Sequence, residues 1–167
     1  MNDEEKQKRY DLADKLISEQ NFPAAVIAGA VATVLAAAAY GIITARWAFS
    51  YGFVAAGVGI VIGLSMQFLG RGISMKFAVL ATVYTIAGCV LGNVFRVIME
   101  LARASATSPI DVIQNNSLSM LADQSLSYVS PVDLVYWFIA VFCAVFFAKR
   151  PLSRSERLAI GMFEMRV

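Results

Sequence analysis

The side chains that could move a proton, attack a carbonyl or hold a metal are sparse in this chain and stand apart from one another. Arg96 and Glu100 are four residues apart, Asp111, Asp123 and Asp133 follow along one polar stretch, and Cys89 and Cys143 lie in apolar runs. The chain holds no histidine, so the commonest general base and the usual nitrogen ligand for zinc or haem are missing. Paired carboxylates, a Ser-His arrangement and a CxxC are absent as well. Gly57-Val58-Gly59 with Gly63 approaches the G-x-G-x-x-G fingerprint. Its spacing is off by one, however, and it sits in an uninterrupted apolar helix, whereas a phosphate loop needs a preceding strand and solvent. The expectation is a protein that is not an enzyme and has no metal or cofactor site.

The elements that carry these residues are plainer. Gln20 to Ala45, Trp47 to Gly70, Phe77 to Phe95 and Leu134 to Ala148 contain no charged side chain. About 20 apolar helical residues cross a bilayer's hydrocarbon core, so the pattern is that of four spans. Hydrophobic residues make up 59% and charged residues 16% of the chain. An ordinary globular domain has roughly 45 to 50% and about 25%, so lipid accounts for the excess better than an oversized core does. A net charge of +2 without basic residues interleaved with aromatics excludes nucleic acid as a partner. A largely polar stretch precedes the first apolar run, which is too long for a signal-peptide core, so a retained span is expected. No lipidation motif stands at either end.

The reading is an all-α polytopic membrane protein, four transmembrane helices with amphipathic terminal helices. Residues 1–21 form a cytoplasmic helix, 22–148 a bundle and 149–167 a cytoplasmic tail, with spans at about 22–45, 48–70, 77–97 and 131–148 and an outer loop over 98–130. With four spans the termini share a side, which carries 11 of the 14 Lys and Arg residues, and the other side holds Arg46, Arg96 and Arg103. The positive-inside rule then makes both termini cytoplasmic.

The connections differ in kind. Spans one and two join through Arg46 and Trp47, a tight hairpin with an aromatic anchor. Spans two and three turn at Gly70-Arg71-Gly72, whose glycines tolerate the positive φ of a sharp reversal. The outer loop is longer than a plain connection; it reads first as an interfacial cover, with Ile110, Ile113, Leu118, Leu121 and Leu126 along the outer membrane surface, and second as a partner-binding or pore-gating loop. In it Ser108, Pro109 and Asp111 read as a helix start, and Asp111 and Asp123 mark a candidate partner surface. In the tails, acid-then-base pairs at i,i+4 (Glu4 with Lys8, Glu5 with Arg9, Asp11 with Lys15) and a Ser153 to Glu156 capping box predict helices, each lying at the inner surface.

Within the spans the clearest signal is small residues every fourth position: Ala25, Gly29, Thr33, Ala37 and Gly41, then Ala55, Gly59 and Gly63, then Ala81, Thr85, Cys89 and Asn93 beside Gly88 and Gly92. Helices in lipid associate through close backbone approach, which small residues permit, so these stripes are packing seams within one chain or between copies. Thr33 and Thr85 fall near the midplane, where a hydroxyl can bond to its own preceding turn. Asn93 needs a partner helix, worth roughly 0.6 to 2 kcal/mol. Arg96 and Glu100 are placed to pair at the surface. The fourth span, rich in Phe, Tyr and Trp, reads as the bulkiest and most lipid-facing, with spans one to three closely packed.

Glycines through span two, Gly70-Arg71-Gly72, Lys76-Phe77 and Gly88-Cys89-Val90-Leu91-Gly92-Asn93 resemble a pattern seen in small uncharacterised bacterial multi-pass proteins, over under a quarter of the chain. The resemblance implies the bacterial inner membrane and brings with it no activity, ligand or site. Two functions follow as expectations. One is a non-enzymatic membrane interaction protein, an accessory subunit or an immunity-type protector binding a membrane-acting toxin through the outer loop. The other is a small channel or permease formed by oligomerising the glycine seams. The partners expected are the lipid bilayer and another membrane protein or a second copy of the chain.

Overall fold

The computed structural model describes residues 3–46, 51–127 and 129–164. Trp47 and Arg166 lie outside them, as does the side chain of Met162. The described residues form helices α1 (Asp3–Ser18), α2 (Phe22–Arg46), α3 (Tyr51–Gly70), α4 (Met75–Ala104), α5 (Pro109–Asn115), α6 (Leu118–Ser127), α7 (Pro131–Ala148) and α8 (Arg154–Glu164). Helices α2, α3, α4 and α7 are long and apolar enough to cross a membrane. The chain is therefore an all-α polytopic membrane protein.

These four helices form a ring in the order α2, α3, α7, α4, with α3 and α4 also touching across it. Burial is sorted by size. On α2 the buried positions include Ala25, Gly29, Ala32, Thr33, Ala36, Ala37 and Gly41, while Ile27 and Leu35 are 67% and 65% exposed. Water would favour the opposite arrangement. In lipid a large side chain loses nothing by facing outward, and a small one inside lets backbones approach. The large residues inside, among them Tyr40, Ile62, Met66 and Phe77, fill the space the small ones leave.

One expected boundary moves. Helix α4 continues through Ala104 instead of ending near residue 97, so at 1.5 Å per residue it is about 45 Å long and outruns the hydrocarbon core. Its last turns carry Arg96, Glu100 and Arg103, and the Arg103 guanidinium donates to the Ala45 carbonyl of α2. The charges that end the apolar run thus prolong the helix. The outer segment is also largely helical: α5 and α6 dock on α4 through Val112 and Leu121, which join Val97, Ile98 and Ala102 in a second small core.

The turn between α3 and α4 corrects an expectation about its glycines. The left-handed residue is Arg71, at φ 47°, and no described glycine has positive φ. Gly70 and Gly72 serve as space: a Cβ on Gly70 would lie 2.6 Å from the Ala25 Cβ, and one on Gly72 would enter the Phe77 ring. In the tails, α1 and α8 pack against one another, burying Ala13, Leu16 and Ala159.

Candidate functional sites

The small-residue stripes resolve into two kinds of seam. Between α3 and α7 the contact is backbone to backbone. A Cβ on Gly59 would collide with the Ala140 carbonyl, and one on Gly63 would lie 2.7 Å from the Ala144 oxygen and 2.9 Å from the Phe147 Cβ. The partner surface is Ala140, Ala144 and Ala148, all fully buried. This four-residue ladder in the fourth span is legible in the sequence and was obscured by the aromatics around it. The fourth span is the least buried of the four, 17% of its apolar window, yet it is joined to α3 as closely as any pair.

Between α2 and α4 the glycines seat tyrosines. The Tyr84 ring of α4 lies on Gly29, its hydroxyl donating to the Val26 carbonyl at 3.0 Å. In the reverse sense the Tyr40 ring of α2 lies on Gly92, its hydroxyl 3.4 Å from the Asn93 Oδ1. Asn93 thus meets a partner helix through a residue its own sequence neighbourhood does not indicate. Gly88 is looser than Gly29, Gly41 and Gly92, its nearest neighbour the Val58 Cγ1 at 3.2 Å from a virtual Cβ. Gly41 is a true backbone approach, since a Cβ there would lie 2.9 Å from the Phe95 carbonyl carbon.

The hydroxyls behave as expected with one exception. Thr33 and Thr44 each donate to a carbonyl four residues back, at 2.7 Å. Thr85, fully buried, has no partner for its Oγ1 among the described residues, and neither has the Trp137 indole nitrogen. Cys89 and Cys143 are free thiols, the first fully buried.

At the end that carries α5 and α6, expected to be the outer one, Arg96 Nε and Glu100 Oε1 are 2.8 Å apart, with Arg96 the more buried. Asp111 is committed locally: with Ser108 it makes a capping box, each backbone N–H 3.2 Å from the other's side-chain oxygen. Asp123 is exposed on α6. Asp133 accepts from the Ser130 N–H at 2.8 Å and caps α7 in a similar way.

At the end that carries α1, α8 and the α3–α4 turn, expected from its basic residues to be the inner one, polar contacts tie distant segments together. The Asn21 N–H donates to the Gly70 carbonyl and the Arg150 N–H to the Gly72 carbonyl, both at 2.9 Å. Arg150 reaches Glu19 at 3.2 Å and Glu156 at 3.6 Å, and Arg71 stands 3.9 Å from Glu19. The Glu156 carboxyl is held below its ordinary value by the Ser153 backbone and hydroxyl, with a smaller contribution from Arg150. Sequence reasoning did not single out Glu19 or Arg150, because nothing in their spacing shows that the two ends of the chain meet. Both termini, the α3–α4 turn and the basic residues around them share this end.

Among the described residues no His, Cys, Asp and Glu cluster could hold a metal. The fold and these sites define a membrane-embedded, multi-pass helical protein. Comparison of the chain with protein-family models, curated proteins and solved structures finds no match in any of the three.

Proposed function

We propose that this chain is a non-enzymatic interaction protein, an accessory subunit or immunity-type protector of the bacterial inner membrane, with both termini cytoplasmic, acting through its outer segment. The observation that carries the reading is the form of that segment. Val112, Leu121 and Ser125 are buried, while Ile110, Leu118 and Leu126 are 65%, 74% and 58% exposed beside Asp111 and Asp123. Exposed apolar side chains beside carboxylates suit a partner surface, and replacing them by Ser separates this from a cover lying on lipid. The eleven-to-three distribution of basic residues supports the orientation.

A channel is the second reading, and it rests on the glycine seams. In a single copy those seams are occupied by Ala140, Ala144, Tyr40 and Tyr84, so a path would need several copies. Cysteines placed at Thr33, Thr85 and Asn93 should resist a water-soluble thiol reagent; ready labelling would favour the channel. Replacing Ile110, Leu118 and Leu126 together by Ser, which leaves Val112 and Leu121 in place, should release a partner that co-purifies with the native chain. Undiminished co-purification by this variant and by deletion of 106–127 would overturn the role of the outer segment.

A further inference from the structure

At the inner end, α3 and the segment following α7 enclose a cleft of about 610 Å³. Its walls differ in chemistry. Leu64 and Phe146 come from the spans, and Lys149, Arg150 and Arg157 from the stretch after α7. A neighbouring hollow of about 390 Å³ shares Gln67 and Arg150 with it and adds Arg71 and Glu19, the latter pairing with both arginines.

The three basic residues are not equally occupied. Arg150 is held by Glu19 and Glu156, the carboxylates that fix the inner end. Lys149 gives its Nζ to the Met75 sulfur at 3.4 Å, and Arg157 its Nε to the Leu152 carbonyl at 3.2 Å. Neither has a carboxylate within 4.0 Å among the described residues. The cleft lining itself contains no acid. Lys149 and Arg157 thus face one cavity with no carboxylate within 4.0 Å of either among the described residues, an arrangement that a phosphate group would satisfy.

The apolar wall distinguishes a lipid phosphate from a soluble one. Phe138, Phe142 and Phe146 recur every fourth residue on α7 and are 75%, 66% and 69% exposed. They form a ridge about 12 Å long on the outward face of the helix, running down the span to the cleft. A free anion has no use for such a ridge, whereas an acyl chain lies along it. We propose that the cleft binds the phosphate of an anionic phospholipid between Lys149 and Arg157, with one acyl chain on the Phe138, Phe142 and Phe146 ridge. Basic pockets beside spans at the cytoplasmic face suit such headgroups on general electrostatic grounds.

The test uses the full chain reconstituted in vesicles of equal phosphatidylglycerol and phosphatidylethanolamine, extracted gently and weighed with its retained lipids by native mass spectrometry. The native chain should keep phosphatidylglycerol in preference. Lys149→Gln with Arg157→Gln should lower that retention about tenfold or more. Arg154→Gln, outside the lining, should leave it unchanged, and millimolar inorganic phosphate should not displace the lipid. Equal retention of the two lipids by the native chain, or an unaltered preference in the double variant, would overturn the proposal. Displacement by inorganic phosphate would make this a site for a soluble anion instead. Should the double variant fail to fold, Arg157→Gln alone, at an exposed position, should still lower retention several-fold, and no change there would count equally against the site.

Discussion

The sharpest test of the α3–α7 seam compares alanine at two glycines two residues apart. A Cβ on Gly57 would meet nothing within 4 Å, whereas one on Gly59 would strike the Ala140 carbonyl oxygen and lie 2.7 Å from its carbon. Ordinary contact begins at 3.4 Å, so the helices must part by about 0.7 Å for the carbon and further for the oxygen. The obstacle is backbone, which cannot rotate aside as a side chain would. Overpacking costs typically about 1 to 3 kcal/mol, and a rigid obstacle argues for the upper half of that range. At Gly57 the only change is in helix propensity, a gain of up to about 1 kcal/mol for alanine. Both positions gain that propensity, so Gly57→Ala should be neutral or stabilising and Gly59→Ala destabilising, a separation of about 2 to 3 kcal/mol set by the steric cost alone. Reversible unfolding in mixed micelles, followed by circular dichroism, measures both. If Gly59→Ala unfolds at the same midpoint as Gly57→Ala, the proposed backbone contact is not what joins these helices.

Three further outcomes follow from particular contacts. Replacing Tyr40 by Phe and Asn93 by Ala, singly and together, should give a coupling of about 0.6 kcal/mol, the usual size for an interhelical hydrogen bond in lipid, and additive effects would show that the 3.4 Å contact contributes nothing. Thr85→Val removes a buried hydroxyl without a partner and keeps the shape, so unfolding midpoints should stay level or rise, by up to about 1 to 3 kcal/mol. Glu156 has a lowered folded value, so its contribution to holding α8 is complete above the ordinary 4.5 and disappears as pH falls through the folded value. Proteolysis of α8 should accordingly become faster in acid in the native chain, and the acid dependence should shrink in Glu156→Gln.

Part of this structure was legible because lipid imposes a coarse rule. Four charge-free stretches gave four spans, and Ser108 with Asp111 and Ser153 with Glu156 marked helix starts that the structure places at the same residues. The end of α4 was less legible, because hydropathy fades at Arg96 while the helix, supported by the Arg96 and Glu100 pair, does not. Small-residue spacing identified Gly29, Gly59, Gly63 and Gly92 but could not name what faces them. A gap on one helix is filled by a tyrosine in one place and a carbonyl in another, and that choice depends on how the helices are offset along their axes. The Ala140, Ala144 and Ala148 ladder obeyed the same spacing and went unread beneath Phe138, Phe142 and Phe146, whose bulk describes the opposite face of the same helix. The meeting of Glu19 with Arg150 had no local signal at all, since it joins residues 131 positions apart.

The two ends of the bundle are held by different kinds of bond, and the difference bears on what each can do. Inner-end bonds cross between elements: Asn21 to Gly70, Arg150 to Gly72, and Glu19 to Arg71 and Arg150. Outer-end bonds mostly stay within one helix or its cap, as with Arg96 and Glu100, Ser108 and Asp111, and Ser130 and Asp133. Bonds of the second kind stabilise a helix without fixing it to its neighbours. The position of α5 and α6 on α4 then rests chiefly on Val112 and Leu121, two apolar side chains worth about 1.5 to 3 kcal/mol each when fully buried. Local opening of this order should make amides of α5 and α6 exchange with solvent well before those of the spans α2, α3, α4 and α7. A segment so lightly seated can exchange its contact with α4 for one with a partner at small cost, as an interaction surface requires. Equal protection of α5 and α6 and of the four spans would show the outer segment to be an integral part of the bundle.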